Sequence, residues 1–203
     1  MGRWTVPRTD GADYAVRLAE LQRVWWKRLL PVQLPYQLNL RAQRLGPTLE
    51  VGCGIGRNLA SLPPGSLGID HNAKAVQIAS HRGLNAMTVT EFYESSWSVE
   101  GAFDALLVSH VLEHMEQQEA RALLNQYLKF IRPGGIVFIV CPQERGFASD
   151  PTHVWFASAR EIERLCREAS LSIRASYSFP FARPAGRLFK YNEFCVRALV
   201  PQR

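Results

Sequence analysis

The chain has 203 residues, of which 47% are hydrophobic, and its formal net charge is +6. This length suits one domain with a packed core. There is no apolar run long enough to span a bilayer and no signal peptide after Met1, so we expect a cytoplasmic protein without membrane contact. The four cysteines are too widely spaced for a zinc knuckle or a disulfide framework. The basic charge comes mostly from arginine and permits an anionic partner without requiring one.

Two helices are predicted before the first strand. The first covers residues 14–30 and ends before Pro31, and the second runs from Pro35 to Arg44, before Gly46. A short apolar strand follows at residues 49–51. The first 46 residues are therefore set apart from the rest of the chain.

A glycine-rich loop follows this strand, with glycine at positions 52, 54 and 56. Glycine lets bare backbone approach a ligand, and the helix predicted after the loop would present its N–H groups there. Dinucleotide sites use G-x-G-x-x-G. Here the spacing is G-x-G-x-G, and Glu50 precedes the first glycine by two residues. This acid would repel a pyrophosphate and favour an ammonium group.

Apolar strands alternate with amphipathic helices through the rest of the chain, which predicts an α/β fold with a parallel sheet. The second strand ends at Asp70, about twenty residues after the loop, where an acid accepts hydrogen bonds from ribose hydroxyls. His71 or Asn72 caps the next helix. The remaining predicted elements are a helix at residues 73–81, strands at 83–89, 103–109 and 136–140, a helix at 158–169, and antiparallel strands at 171–177 and 192–200.

The E-x-G-x-G-x-G loop from Glu50 to Gly56 and the turn Pro133-Gly134-Gly135 resemble those of class I S-adenosylmethionine-dependent methyltransferases, over roughly three quarters of the chain. The resemblance implies a Rossmann-like α/β fold: a seven-stranded, mostly parallel sheet with an antiparallel C-terminal strand and helices on both faces. It also implies S-adenosyl-L-methionine as cofactor, with Glu91 or Phe92 in place of the family's usual acid beside adenine. The implied cofactor residues are Glu50, Gly52, Cys53, Gly54, Gly56, Asp70, His71, Glu91, Phe92 and Ser109.

In this family an N-terminal helical segment often folds over the cofactor as a lid. Residues 1–46 are accordingly assigned as a lid segment, and residues 47–203 as the methyltransferase domain. Trp25 and Trp26 lie in this lid. They either stack on adenine or on the substrate, or pack in the core like most tryptophans.

The segment after the fourth strand carries candidate chemistry. On a helix, His110, Glu113 and His114 would share one face at i, i+3 and i+4, and such a set can bind a divalent metal. The segment resembles the S-E-x-x-E-H element of ubiquinone-pathway O-methyltransferases, where acid and histidine side chains hold a metal. Glu113 and His114 match it, and His110 replaces its first glutamate. General-base catalysis without metal and a purely structural role remain open.

A second polar cluster follows the fifth strand, and His153 is expected to meet His114 across the crevice as a base, a metal ligand or a group that orients the acceptor. The catalytic candidates are His114, His153 and Glu113. The candidate ligands of Mg²⁺ or Mn²⁺ are His110, Glu113, His114 and His153. The candidate substrate residues are Trp25, Trp26, Arg145 and Asp150.

A hydroxyl acceptor needs a base or a metal to take its proton, and this site offers both. The D/N-P-P-Y/F motif of nucleobase amino-methyltransferases is absent at residues 109–112, so a nucleic-acid substrate is disfavoured. We predict an O-methyltransferase that acts on a saccharide or another small molecule. Small bacterial sugar O-methyltransferases, such as those of mycobacterial methylmannose polysaccharides, are similar in size and layout. The alternatives are an RNA-modifying methyltransferase and a catalytically silent cofactor-binding partner; the oligomeric state stays open, with a homodimer among the options.

Overall fold

The computed structural model describes residues 33–202, in which helices pack against a seven-stranded sheet. The strands are β1 (Thr48–Val51), β2 (Leu67–Asp70), β3 (Ala86–Thr88), β4 (Phe103–Ser109), β5 (Ile131–Pro142), β6 (Ser172–Phe179) and β7 (Glu193–Leu199). The α-helices are α1 (Leu34–Ala42), α2 (Ala73–His81), α3 (Val89–Glu94), α4 (Gln117–Leu128), α5 (Glu144–Phe147) and α6 (Ala159–Glu168). Short 3₁₀ helices cover Leu59–Ser61, Leu112–His114 and Arg183–Arg187.

The strand order is β3-β2-β1-β4-β5-β7-β6. Neighbouring strands from β3 to β5 run parallel, and β7 runs antiparallel to both β5 and β6. This confirms the predicted mostly parallel sheet with an antiparallel C-terminal strand. The order reverses between β1 and β4, and ligands of such sheets bind at the carboxyl ends of the strands beside this point.

The alternating side chains of β4 show which helices pack on each face of the sheet. Leu106 and Val108 pack in one core cluster with residues of α3, α4 and α6. Ala105 and Leu107 point the other way and pack in a second cluster with Leu40 of α1. Because successive side chains of a strand point to opposite faces, helices cover both faces, as predicted.

Side-chain caps mark the start of two of the predicted helices. The Asn72 side chain accepts hydrogen bonds from the backbone N–H groups of Lys74 and Ala75 at the start of α2. The Ser158 hydroxyl accepts one from the N–H of Glu161 at the start of α6. Such caps satisfy N–H groups that have no partner inside the helix.

The sequence predicted a helix directly after the glycine loop, and this prediction is wrong. That segment forms turns and then a single 3₁₀ turn at Leu59–Ser61. Pro63 and Pro64 follow, and proline has no N–H with which to continue a helical ladder. The loop therefore does not begin an α-helix.

The described residues begin within the predicted lid segment. The helix predicted at residues 14–30, with Trp25 and Trp26, lies outside them, whereas the second predicted helix is α1. No helix within residues 33–202 has the length and the hydrophobicity that a bilayer-spanning segment needs.

Candidate active site

A cavity of about 640 Å³ opens at the carboxyl ends of β1, β2 and β4. Most of the predicted cofactor residues line it: Glu50, Gly52, Cys53, Gly54, Asp70, His71 and Ser109. The other candidates that line it are His110, Glu113, His114, Asp150 and His153. A separate cavity of about 480 Å³, lined by Arg160, Ser178 and Arg183 among others, contains none of the candidates.

The three loop glycines differ in what surrounds them, although all have positive φ. A Cβ at Gly52 would lie 2.3 Å from Cγ2 of Val111, and one at Gly56 would lie 2.4 Å from Cδ1 of Leu84. A Cβ at Gly54 would meet no protein atom within 4 Å. Gly52 and Gly56 therefore allow close packing, whereas Gly54 leaves space for a ligand on the cavity side.

The carboxylate of Glu50 is buried at the end of β1, with 2% of the residue exposed. One oxygen accepts a hydrogen bond from Nδ2 of Asn58 at 3.1 Å. The other, Oε2, has no partner among the described residues. Burial raises the pKa of Glu50 to about 8, against the opposing effect of the Asn58 hydrogen bond. A buried carboxylate with an unsatisfied oxygen favours a cationic group beside it.

Two backbone hydrogen bonds fix the carboxylate of Asp70. Its Oδ2 accepts from the N–H of Gly54 and its Oδ1 from the N–H of Asn72, each at 2.8 Å. The His71 ring lies beside it, with Nδ1 at 3.6 Å from Oδ1. The end of β2 is thus tied to the glycine loop, and the acid faces the cavity with a fixed orientation.

The prediction that Phe92 contacts adenine is wrong. Phe92 is fully buried in the core, with its ring centroid 4.9 Å from that of Phe130. Glu91 also stays away from the cavity. Its carboxylate accepts hydrogen bonds from the N–H and the hydroxyl of Thr88 in a capping box at the start of α3. Packing and capping therefore use the two side chains that the resemblance assigned to adenine.

At the other end of the cavity the rings of His114 and His153 meet, with centroids 4.7 Å apart. One ring nitrogen of each lies within 4.8 Å of the other and of a carboxylate oxygen of Glu113. Oε2 of Glu113 is buried and has no hydrogen-bond partner in the described part of the chain. The loop after β5 and the segment after β4 thus bring these three groups together, as predicted.

His110 contacts Glu113 but contributes no nitrogen to this group of three ligand atoms, because the segment after β4 is not a regular helix. His110 has φ 58, and only Leu112–His114 forms a 3₁₀ turn. The His110 ring instead bridges two carboxylates, with Nδ1 3.2 Å from Oε1 of Glu113 and Nε2 2.8 Å from Oε1 of Glu193. Partial burial opposes the imidazolium, but the two carboxylates outweigh this and raise the pKa of His110.

The comparisons with known proteins agree with this geometry. A family model described as a methyltransferase domain matches residues 20–176. The chain belongs to this methyltransferase family. A tabtoxin biosynthesis enzyme of Pseudomonas amygdali pv. tabaci is 26% identical over 164 residues, which cover 75% of this chain and 64% of that enzyme. The matched region therefore spans less than two thirds of that relative's length.

Solved structures share the fold of the methyltransferase. A SAM-dependent methyltransferase from Archaeoglobus fulgidus has a TM-score of 0.64 at 16% identity, over 92% of this chain and 100% of the other. Magnesium protoporphyrin IX methyltransferase from Synechocystis with bound SAM has a TM-score of 0.63 at 15% identity, over 95% and 93%. At 15–16% identity these likenesses show the fold alone, which this chain shares with SAM-dependent methyltransferases.

Three observations test whether the cofactor end of the methyltransferase fits S-adenosylmethionine. The unsatisfied Oε2 of Glu50 suits the ammonium group of the methionine moiety. The open space above Gly54 lets the ligand approach the backbone there. Asp70, which is fixed beside the loop, has the acceptor atoms that ribose hydroxyls need. The residues present therefore fit the cofactor.

The candidate substrate residues of the methyltransferase have different environments. Asp150 lines the cavity, whereas Arg145 is exposed and does not line it. Trp25 and Trp26 lie outside the described residues. Sequence reasoning missed Thr152, Tyr36 and the pair Lys190 and Tyr191. The last three line the cavity, and Thr152 holds His114; no motif marks any of them.

Proposed function

We propose that this methyltransferase transfers the methyl group of S-adenosylmethionine to a hydroxyl of a saccharide or another small molecule, with His114 as the general base. The observation that carries the proposal is the convergence of Glu113, His114 and His153 in the cavity that also contains Glu50 and Asp70. S-adenosylmethionine, when bound, supplies the methyl group as an electrophile. The residues of the chain must then position an acceptor and take its proton.

The acceptor end offers hydrogen-bond acceptors. Oε2 of Glu113 has no donor among the described residues. Nδ1 of His153 lies 2.8 Å from the carbonyl oxygen of Phe147. A carbonyl can only accept, so Nδ1 carries the hydrogen and Nε2 of the neutral ring has a lone pair. A ligand at this end must therefore bring hydrogens or positive charge, and hydroxyl groups satisfy the first requirement.

His114 is suited to accept a proton near neutral pH. Burial lowers its pKa, and the neighbouring His153 acts in the same direction, although Glu113 opposes them. The neutral ring can take the hydroxyl proton while the oxygen bonds to the methyl carbon and the carbon–sulfur bond breaks. An alcohol holds its proton tightly at pH 7, so a positioned base contributes to this step.

Aromatic and polar side chains at the cavity mouth support a saccharide or a comparable polyol. Tyr36 and Tyr191 line the cavity, and the Tyr36 hydroxyl donates a hydrogen bond to the carbonyl oxygen of Tyr191. Lys190 places its ammonium 5.0 Å from the centroid of the Tyr191 ring. Such surfaces combine an apolar face for a sugar ring with donors and acceptors for its hydroxyls.

Metal assistance is a second candidate, because the same groups suit a divalent cation. Glu113, His114 and His153 would hold it through one carboxylate oxygen and two imidazole nitrogens. A cation there would lower the pKa of a bound hydroxyl. Two nitrogen ligands favour Mn²⁺, Fe²⁺ or Zn²⁺ over Mg²⁺, which prefers oxygen.

Transfer of labelled methyl from S-adenosylmethionine to a panel of saccharides, phenols and RNA tests the proposal. We expect label in an ether linkage on a saccharide or phenol, and its loss in His114→Gln. His81→Gln serves as the matched control, since His81 is an exposed histidine of α2 that does not line the cavity. A chelator arm with metal added back separates the two candidates, because only the metal-assisted reaction stops with chelator and returns with metal.

Two other outcomes would contradict the proposal. Label in RNA alone would favour an RNA-modifying enzyme, for which a steep loss of binding with salt is a further sign. Cofactor binding without transfer to any acceptor would instead favour a catalytically silent partner.

A further inference from the structure

Thr152 connects the two sides of the acceptor end and has no role in the function proposed so far. It is buried, with 6% of the residue exposed, in the loop between α5 and α6. Its Oγ1 lies 2.7 Å from Oδ1 of Asp150 and 3.0 Å from Nδ1 of His114. Its backbone N–H also donates to Oδ1 of Asp150, at 2.9 Å. Asp150, Thr152 and His114 thus form a continuous chain of hydrogen bonds.

The direction of each hydrogen bond follows from the donors around Oδ1 of Asp150. The backbone N–H of Thr152 can only donate, so Oδ1 is an acceptor, and the Thr152 hydroxyl donates to the same oxygen. Its oxygen is then left as an acceptor toward His114, and Nδ1 of His114 must carry the hydrogen.

The backbone supports the same direction. The carbonyl oxygen of Thr152 lies 3.4 Å from Nδ1 of His114, and a carbonyl cannot donate. Nε2 of His114 has no hydrogen-bond partner within residues 33–202. A neutral imidazole carries one hydrogen, so placing it on Nδ1 leaves the lone pair on Nε2.

We propose that Thr152 is a positioning residue that selects the Nδ1–H tautomer of His114 and so leaves Nε2 with the lone pair that accepts a proton. Neutral histidine side chains in water favour the Nε2–H tautomer, so the loop selects the form that is less common in solution. The consequence for catalysis rests on the proposed function. The tautomer itself does not, and it is measured without any acceptor.

Nitrogen-15 NMR of histidine-labelled, metal-free protein reads the tautomer directly. At a pH where His114 is neutral, we expect the Nδ1–H form in the wild type and in Thr152→Ser, which keeps the hydroxyl. In Thr152→Val we expect the Nε2–H form to gain population. His153 is an internal control, since Phe147 holds its Nδ1–H independently of Thr152. If Thr152 only stabilised the fold, Thr152→Val would lower stability and leave the tautomer of His114 unchanged.

The wild-type spectrum decides the proposal even if Thr152→Val fails to fold, because an Nε2–H form of His114 there would overturn it. An unchanged tautomer in a folded valine variant would overturn it as well. Once an acceptor is known, Thr152→Val should lower kcat by about 10–100-fold with unchanged cofactor affinity, and serine should restore it. If His114 has the Nδ1–H form but the protein methylates no hydroxyl, the result would contradict the proposed function and leave this inference standing. Methyl transfer to a hydroxyl by a protein whose His114 has the Nε2–H form would support the proposed function and overturn this inference.

Discussion

The carboxylate of Asp70 at the end of β2 accepts a hydrogen bond from the backbone N–H of Gly54 at 2.8 Å. This contact joins two neighbouring strand ends into one surface and holds the glycine loop in place. Gly54 is also the loop glycine that faces open space, whereas Gly52 packs against Val111. Substitutions at the two positions should therefore separate an effect on cofactor binding from an effect on folding.

Gly54→Ala should weaken cofactor binding while the protein stays folded. The new methyl group meets no protein atom, so its cost is the strain of φ 52, about 1 kcal/mol. The methyl group does occupy the space above the loop. Gly52→Ala, at φ 73, should lower the melting temperature further because its methyl collides with Val111. Calorimetric titration with S-adenosylhomocysteine and thermal unfolding check both, and wild-type affinity in Gly54→Ala would contradict the assignment.

Glu50→Gln should stabilise the cofactor-free protein and weaken cofactor binding. Because the folded pKa of Glu50 is raised to about 8 from 4.5, unfolding releases a proton between these values, and Glu50 destabilises the fold increasingly as pH rises through this window. The stability gain of the variant should therefore be absent below pH 4.5 and complete above pH 8. Affinity for S-adenosylmethionine should fall roughly tenfold or more through the lost ammonium contact.

Thermal unfolding from pH 4 to 9 and calorimetric titration measure these two effects of Glu50→Gln. Glu91→Gln is the matched control. It removes a carboxylate that caps α3 outside the cavity, so it should leave affinity unchanged. Loss of affinity in both variants alike would show that Glu91 reaches the cofactor after all.

Phe92→Ala should destabilise the protein by about 3–5 kcal/mol, because it leaves a cavity among the packed rings of the core. Cofactor affinity, measured well below the melting temperature, should stay within a factor of about two of wild type. Denaturant unfolding and calorimetric titration check this. A stable variant with much weaker cofactor binding would indicate that Phe92 contacts adenine after all.

His110→Asn should cost more stability at pH 6 than at pH 9. The pKa of His110 is raised in the folded protein by Glu113 and Glu193, so its stabilising charge is fully present below about pH 6.5 and declines as pH rises through the folded value. Asparagine tolerates the positive φ at this position, so the backbone remains a fair comparison. Thermal unfolding of wild type and variant from pH 6 to pH 9 should show the difference between their melting temperatures become smaller. A constant difference would contradict a charged His110 between Glu113 and Glu193.

The sequence predicted well what local pattern dictates. Apolar strands and the glycine loop predicted the parallel sheet, and the His71-Asn72 pair, of which Asn72 is the cap, marked the start of α2. Asp70 and Glu50 line the cavity, and the sequence could single them out because their spacing from the glycines is set by the strand-to-loop connection. These features depend on neighbours along the chain, which a single sequence displays.

The predictions that failed or were missed concern side chains whose positions depend on tertiary packing. Phe92 and Glu91 stand at the predicted position, but packing against Phe130 buries the ring and capping by Thr88 turns the carboxylate away. The positive φ of His110 broke the helix that would have aligned it with His114. Thr152 reaches His114 across 38 positions of sequence, and no local pattern marks such a pair.

Asp70 is proposed to hold the cofactor and His114 to act on the acceptor, so the most direct measurement compares Asp70→Asn and His114→Gln side by side. Asp70→Asn keeps the shape of the side chain but loses its charge, and affinity for S-adenosylmethionine should fall by about tenfold or more. His114→Gln should bind the cofactor as wild type does, while methyl transfer falls by about 100-fold or more through loss of the base. An equal loss of cofactor affinity in both variants, or full turnover without His114, would contradict this division of roles between Asp70 and His114.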